Sequence, residues 1–404
     1  MVMFILLLFL VSLTIIGWYV TRDVFSPFFV QPGIWAGVVA LYLIISPNYW
    51  EISMHFPISL MLFSTAFLLG GLPSYYYTQN QPSIILSDKP NQTVLTVFRW
   101  ISILAIPSML FIVVRMALDK DPEHLLLFIR MVNTGYSDDP EAHIDFGIVS
   151  YAVPIPYILL LYSLVYDRSK KLIILSVFLN LLVGLLSMSK TSFLSIIFAI
   201  IYLLHRQNKI KPKAILWTLV IFFVLMMLMQ FFRSSDADQE TFGLTQIISQ
   251  YFLASIPAYD GFSIPCSAEH YGENCFRFIY AVLHSLGNDI EPIHTLNEFV
   301  EVPQPTNVFT ILHPFNKDFG YVGLFVFGLL YGFLYGFLYK KNQGGHIFYT
   351  FLYVIFLNYL ILEFFAEYIL LNLSLTIQYI ILAALPFLIN GKGLSTPTDV
   401  LWKK

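Results

Sequence analysis

The residues best suited to chemistry gather in one polar segment, residues 233–318, which separates two long apolar stretches. The segment holds both cysteines and four of the nine histidines of the chain. Close to its end, His313 is followed by Lys317 and Asp318 in the run L-H-P-F-N-K-D. Imidazole titrates near neutral pH and is the usual general base for a hydroxyl group. We therefore predict that His313 is a base, aided or replaced by Asp318 or Asp260; the alternative is a structural histidine.

Four cations suit an anionic ligand. Arg233 lies where one apolar run ends, and Lys190 lies in the short turn S-M-S-K-T-S between two others. Arginine binds phosphate through two parallel hydrogen bonds, whereas lysine acts as a point charge. We expect Arg233 and Lys190 to bind phosphate, with Arg277 and Lys317 as further candidates. The alternative for Arg233 is a side chain that extends to the lipid headgroups.

Three uncharged side chains complete the predicted site. Asn307 and Thr310 offer hydrogen bonds to a sugar or a phosphate, and Tyr259 offers an aromatic face on which a sugar ring could stack. The spacing of His, Cys, Asp and Glu matches no recognised set of metal ligands, and the chain has no glycine-rich phosphate loop. The sequence therefore predicts no metal, no other cofactor and no nucleic-acid partner.

The composition sets the class of protein. Of 404 residues, 57% are hydrophobic and only 12% are charged, and the mean hydropathy is +0.72. A soluble domain cannot bury that much apolar surface. A helix that crosses the hydrocarbon core needs about 20 apolar residues. Eleven runs approach that length, near residues 3–21, 27–46, 56–76, 97–117, 145–166, 172–188, 191–205, 214–232, 319–339, 346–366 and 370–390. The predicted fold is an all-α polytopic membrane protein, a single transmembrane domain (1–404) with 10 to 12 spans.

The distribution of basic residues predicts the orientation of these spans, because cytoplasmic loops carry an excess of Lys and Arg. The basic residues gather at 168–171, 205–213, 340–341 and 392–404. Placing these segments in the cytoplasm puts the C-terminus inside and the N-terminus outside. Alternation of the spans then puts loops 118–144 and 233–318 outside. The uncharged apolar start is interpreted as a retained helix rather than a cleaved signal peptide.

The two cysteines, Cys266 and Cys275, both lie in the outer segment 233–318. Eight residues separate them, which suits a small loop closed by a disulfide in an oxidising compartment. The alternative is two independent thiols. We predict the disulfide, as a structural bond rather than a redox centre.

Two further signals lie within the apolar runs. Glu363 and Glu367 are one helical turn apart, and carboxylates inside a membrane are costly, so they usually face the interior of a bundle and carry a function. The alternative places them at the outer end of a shallow helix. Gly328, Gly332 and Gly336 form a small-residue ridge that predicts close helix packing.

Three local patterns resemble the bacterial oligosaccharide repeat-unit polymerases, the Wzy-type O-antigen polymerases. The first is the turn S-M-S-K that contains Lys190. The second is the outer loop that begins at Arg233 and runs to Y-F-L-A-S-I-P-A-Y-D. The third is N-V-F-T…H-P-F…D-F-G-Y-V-G, which enters an apolar run. The remainder of the chain resembles the family in its general layout, with many spans and one large, partly helical outer loop between two late spans.

The resemblance implies an activity. Such polymerases lie in the inner membrane of Gram-negative bacteria and transfer a growing glycan from undecaprenyl pyrophosphate to the non-reducing end of a lipid-linked repeat unit. Arg233 and His313 then correspond to an arginine and a histidine of the family. The implied partners are the undecaprenyl-pyrophosphate-linked donor and acceptor, membrane lipids and a chain-length regulator. The resemblance also makes the outer loops periplasmic.

Two alternatives stay open. An O-antigen ligase uses the same donor and moves finished polymer onto the lipid A–core. A lipid-linked oligosaccharide flippase belongs to another class of protein and would show inverted repeats or broken helices with charges near the middle of the membrane. The sequence has no obvious internal repeat, and its polar groups cluster outside the predicted spans.

Overall fold

The computed structural model describes residues 1–45, 51–79, 89–123, 125–134, 144, 146–166, 169–187, 190–208, 248–294, 296–302 and 305–389. Its helices, in chain order, are α1 (Val2–Thr21), α2 (Pro27–Ile45), α3 (His55–Tyr77), α4 (Gln92–Lys120), α5 (Leu125–Thr134), α6 (Ile155–Val165), α7 (Lys170–Ser187), α8 (Lys190–Arg206), α9 (Ser255–Phe262), α10 (Arg277–Ser285), α11 (Leu312–Gln343), α12 (Ile347–Ile361) and α13 (Leu373–Leu388). A 3₁₀ turn (Gly147–Ala152) precedes α6, and a π-helical turn (Ser249–Leu253) precedes α9. The strands β1 (Val300–Glu301) and β2 (Pro305–Thr306) pair antiparallel.

The described part of the chain is mostly helical and contains seven segments long and apolar enough to cross a membrane. These are α1, α2, α3, α4, the segment Gly147–Val165, α7 and α11, while α8, α12 and α13 are shorter apolar helices. Each coincides with a predicted apolar run; the predicted run 214–232 lies outside the described residues. The protein is therefore an all-α protein with several apolar helices suited to a membrane.

One clear difference from the predicted boundaries is at α11, which begins at Leu312 rather than near residue 319. Hydropathy places the start too late because the first two turns of this helix carry polar side chains, among them His313 and Asp318. The helix bends at Gly320, whose φ of 61° and ψ of −148° are not helical. A side chain at this φ is strained, so glycine allows the bend between the polar first turns and the apolar remainder.

The chain folds as two compact units, which are described separately. The first contains α1 to α3, α9 to α11, the β-hairpin and the segment 362–372. The second contains α4 to α8, the middle of α12 and most of α13.

The first unit is built on a close pair of helices, α3 and α11. A Cβ atom added at Gly332 would collide with the carbonyl oxygen of Phe67, and one at Gly336 would collide with that of Gly71. At Gly328 the added atom would lie 2.8 Å from the Ala66 Cβ. The predicted ridge of small residues therefore brings two backbones into direct contact, as small residues do in membrane helices.

The second unit has a core between α4, α5 and α7, in which Met109 and Val113 pack with Phe128 and Leu186. The sequence pattern predicts an interfacial helix over residues 124–132. The helix found there, α5, packs its apolar face on this core rather than leaving it free.

Asn91 caps the start of α4 by accepting a hydrogen bond from Thr93 N at 2.8 Å, the role for which asparagine is favoured at this position.

Candidate functional site

His313 lies in the first turn of α11, in the first unit. Thr310 Oγ1 accepts a hydrogen bond from Leu312 N at 3.3 Å and so caps this turn. The His313 side chain is 7% exposed, and its ring centroid lies 4.2 Å from that of Phe309. Its Nδ1 atom is buried and has no hydrogen-bond partner. Buried ring nitrogens are normally paired, so the unpaired state of this atom is unusual.

Glu363 is a further buried polar residue of the first unit. It is fully buried, and neither of its carboxyl oxygens makes a hydrogen bond. Its backbone carbonyl accepts a hydrogen bond from Ile311 N at 2.8 Å, which ties the segment 362–372 to the chain just before α11. An unpaired carboxyl group in such surroundings carries a large desolvation cost.

The polar side chains that face Glu363 come from α2. Gln31 and Trp35 are one helical turn apart and approach its carboxyl group, but neither makes a hydrogen bond of ordinary geometry to it. Trp35 Nε1 and Gln31 Oε1 are themselves buried and unpaired, while Gln31 Nε2 donates to Ser64 Oγ at 3.1 Å. Glu363, Gln31 and Trp35 thus form a buried group with unused hydrogen-bonding capacity.

Glu367 is also buried, but its carboxylate is fully engaged. Its oxygens accept hydrogen bonds from Ile369 N at 2.7 Å, Leu370 N at 2.9 Å and Leu371 N at 2.7 Å. The hydroxyl group of Tyr331 on α11 donates a further bond. A carboxylate that satisfies successive backbone N–H groups stabilises the turn it belongs to. The structure therefore separates the two glutamates into a bonded residue and an unbonded one.

Asp318 does not lie free beside His313. Its carboxylate accepts hydrogen bonds from Asn274 N at 3.2 Å, Asn274 Nδ2 at 2.6 Å and Cys275 N at 2.7 Å. These bonds hold residues 274–275 of the outer segment against α11. The contacts give Asp318 a structural role, and its assistance to His313 stays a prediction.

Asp260 has a similar structural use. Its Oδ1 accepts from Phe56 N at 2.9 Å and from Ser53 Oγ at 2.9 Å, and its Oδ2 accepts from Ser53 N at 2.7 Å. It therefore binds the backbone N–H groups at the start of α3, as a helix-capping carboxylate does. This geometry gives Asp260 a structural role, and its role as an alternative base stays a prediction.

Tyr259 is fully buried and stacks on His55, with ring centroids 5.0 Å apart and an interplanar angle of 6°. Its ring also packs edge-to-face with that of Phe56, with the ring centroids 6.1 Å apart. Stacking on a sugar ring requires an exposed face, so the predicted role of Tyr259 is corrected to packing. Burial also raises the pKa of its hydroxyl group.

His55 is a residue that the sequence pattern did not single out. Its Nδ1 lies 2.9 Å from Tyr321 Oη and its Nε2 lies 3.1 Å from Ser263 O. Asn316, fully buried, donates from Nδ2 to Ser263 O at 2.7 Å. Its partners Tyr321 and Ser263 lie more than 200 positions away in the sequence, so no local pattern indicates them.

The predicted cations are only partly described. Arg277 donates from Nε to Ile293 O at 2.6 Å, and burial lowers the pKa of its guanidinium. Lys317 is half-buried on α11, near His313. Lys190 is the first residue of α8, in the second unit, but its side chain lies outside the described part. Arg233 lies outside the described residues altogether.

The structure also describes Asn307, Thr310 and the two cysteines. Asn307 is half-buried just after the β-hairpin, and Thr310 is used to cap α11. Cys266 is exposed and Cys275 is buried, and both are free thiols, so the predicted disulfide between them is not formed. The Asp318 carboxylate accepts a hydrogen bond from Cys275 N. Burial raises the pKa of the Cys275 thiol.

His313, in the first turn of α11, and Glu363, beside it, are among the described residues whose buried polar atoms make no hydrogen bond. Both are capable of accepting a proton from a hydroxyl group. Within the described ranges, no group of three or more His, Cys, Asp or Glu side chains is placed to hold a metal ion. Comparisons with protein-family models, curated proteins and solved structures find no match to this chain.

Proposed function

We propose that this protein is an oligosaccharide repeat-unit polymerase of the inner membrane, which transfers a glycan from undecaprenyl pyrophosphate to a lipid-linked repeat unit at the periplasmic face. The three sequence patterns that contain Lys190, Arg233 and His313 carry the proposal. The unpaired Nδ1 of the buried His313, at the point where the outer segment joins α11, supports it from the structure.

The proposed reaction needs little beyond positioning and charge. The acceptor hydroxyl oxygen attacks the anomeric carbon of the donor sugar, the bond from that carbon to the pyrophosphate oxygen breaks, and undecaprenyl pyrophosphate leaves. Cations at Arg233 and Lys190, with Arg277 and Lys317 as further candidates, would stabilise the charge that develops on the pyrophosphate. A metal is therefore not required, because pyrophosphate is already a good leaving group. A base removes the proton of the acceptor hydroxyl group.

The contacts narrow the choice of base. Asp318 and Asp260 accept hydrogen bonds from backbone N–H groups, so taking a proton would weaken the bonds that hold the outer segment and α3. His313 has an unpaired ring nitrogen, and Glu363 has two unpaired carboxyl oxygens. We assign the base role to His313, with Glu363 as the second candidate. This choice retains the histidine of the sequence pattern and moves the carboxylate role from the two aspartates to Glu363.

The test is the lipopolysaccharide ladder of a deletion strain complemented with variants of this chain. Loss of a polymerase leaves lipid A–core capped with one repeat unit, and the parent chain should restore the ladder. His313→Ala should leave the single-repeat pattern at normal protein level, whereas a full ladder from this variant would exclude the base assignment. For Arg233, Ala and Lys replacements should both abolish the ladder if bidentate contact with pyrophosphate is needed.

The same strain separates the rival functions. A ligase deletion accumulates lipid-linked polymer instead of single-repeat core, and a flippase deletion stops both products because repeat units stay on the cytoplasmic face. Addition of a chelator to membrane vesicles gives a further check, since the proposed transfer should continue without free divalent cations.

A further inference from the structure

The helix α10 of the outer segment has an apolar stripe that none of the described residues covers. Ile279, Val282, Leu283 and Leu286 follow one another at the i, i+3, i+4, i+7 spacing that places them on one side of a helix. Their exposed fractions lie between 41 and 79%. No residue of α10 is buried. Four large apolar side chains in one exposed row mark a contact surface.

The opposite side of α10 is attached to the protein, which fixes the direction of the stripe. Arg277 donates from Nε to Ile293 O at 2.6 Å, and Tyr280 Oη donates to Tyr271 O at 2.9 Å. His284 Nδ1 lies 3.0 Å from Asn288 O at the end of the helix. These polar contacts hold α10 to its neighbouring loops, so the apolar side is the one left free.

Phe276, at the start of α10, joins this helix to α11. Phe276, the residue before the helix, lies 6.2 Å from Phe319 and 6.3 Å from Phe327 between ring centroids. Phe327 is seven residues beyond the bend at Gly320, in the apolar part of the spanning helix α11. The same part of α11 carries an exposed apolar row at Val322, Val326, Leu330 and Phe333. In a spanning helix, an exposed apolar row faces lipid.

We propose that α10 lies in the membrane interface, with its Ile279–Leu286 stripe inserted into the bilayer surface at the headgroup boundary. Its amphipathic spacing, the polar bonds on its other side and its contact with α11 through Phe276 are those of an interfacial helix. The proposal requires that the chain is embedded in a membrane but not that it is a polymerase. It is therefore independent of the proposed function.

The test uses the full-length chain in lipid nanodiscs, with one nitroxide label attached to Leu283→Cys. A matched label on His284→Cys lies on the opposite side of the same helix, and both variants carry Cys266→Ser so that no exposed thiol competes. Collision with oxygen, which concentrates in lipid, and with a water-soluble nickel chelate is measured for each label. The label at position 283 should favour oxygen over nickel several-fold more than the label at 284.

Equal, high collision with nickel at both positions would overturn the proposal, since the stripe would then face water. Dipolar broadening of the label at 283 that disappears on dilution with unlabelled protein would also overturn it, because a second copy would then cover the stripe. If either variant is poorly folded, as judged by its melting temperature, the pair Ile279→Cys and Ser285→Cys provides the same comparison with the same two outcomes.

Discussion

At the scale of single residues, the acids in and around the candidate site differ in the hydrogen bonds that their oxygens accept. Glu367, Asp318 and Asp260 each accept several hydrogen bonds from backbone N–H groups, whereas Glu363 accepts none. Removing an acceptor that backbone N–H groups depend on leaves those groups buried and unpaired, which costs free energy. Removing an unpaired carboxyl group leaves nothing new unpaired. Stability measurements therefore distinguish structural acids from one that is free to serve a ligand.

Glu367→Ala should lower the free energy of unfolding by about 3 kcal/mol, since the N–H groups of residues 369–371 lose their acceptor. Glu363→Gln should change it by less than about 1 kcal/mol, because it replaces an unbonded group with a neutral one of the same size. Unfolding of the purified protein in detergent, followed by circular dichroism, gives both values. Equal destabilisation by the two variants would show that Glu363 has a structural partner.

Asp260 gives a second comparison, between capping and catalysis. Asp260→Ala should destabilise the protein by about 1 to 2 kcal/mol through loss of the α3 cap. Asp260→Asn should cost less, because its amide oxygen can still accept from Phe56 N, although the bond from Ser53 N is lost. Asp260→Asn should also retain the polysaccharide ladder in the complemented strain. Asp289→Ala, at an exposed position of the same outer segment, is the control. Loss of the ladder in Asp260→Asn at normal stability would restore Asp260 as a candidate base.

At the scale of elements, the α3–α11 pair depends on backbone contact. Gly332→Ala places a methyl group against the Phe67 carbonyl oxygen, so the helices must separate, and we expect a loss of about 1 to 3 kcal/mol. Gly37→Ala in α2 is the matched control, because nothing lies within 4 Å of the added Cβ. The melting temperatures of the two variants in the same detergent test this difference. A neutral Gly332→Ala would show that the helices do not touch at this position.

The bend in α11 gives a separate prediction. Gly320→Ala imposes a side chain on a positive φ and should cost about 1 to 3 kcal/mol from backbone strain. The added Cβ would also lie 3.1 Å from Cys266 Sγ. Adding Cys266→Ala removes that contact but not the strain, so the double variant should stay destabilised in thermal unfolding. Full recovery in the double variant would assign the effect to the sulfur contact instead.

At the scale of the whole molecule, the orientation of the chain is open to direct labelling. The proposed orientation has the outer segment in the periplasm. Within the described part of that segment, Cys266 is an exposed thiol and Cys275 is a buried one. A membrane-impermeant maleimide added to intact cells with a permeable outer membrane should therefore label one thiol per folded chain, and two after denaturation. Cys266→Ser should abolish labelling of folded protein. If labelling occurs only after the inner membrane is broken, the segment lies on the cytoplasmic side instead. If no thiol is labelled even after denaturation, the two cysteines form a disulfide.

The spans could be predicted from the sequence because their signal is local. A run of about 20 apolar residues is visible in one window, and α2 and α3 end close to the boundaries that hydropathy gives. The ridge at Gly328, Gly332 and Gly336 was likewise visible, because its spacing is a property of one helix.

The pairing of side chains could not be predicted in the same way. Asp260 and Ser53 are 207 positions apart, and Asn274 and Asp318 are 44 positions apart, so no local pattern shows that one holds the other. Both aspartates therefore resembled catalytic acids in the sequence. Glu363 and Glu367 share one residue type and one apolar run, and only their three-dimensional contacts separate them.

The contact between α3 and α11 has a mechanical consequence. Asp260 holds the outer segment to the start of α3, and Asp318 and Asn316 hold it to the start of α11. Hydrogen bonds thus connect the outer segment to the start of both helices, and the backbones of these helices are in direct contact. If a single molecule is pulled from the bilayer by this segment, we expect α3 and α11 to be extracted together in one force step. The reason is that the backbone of Gly332 packs directly against the carbonyl oxygen of Phe67, so neither helix can slide past the other.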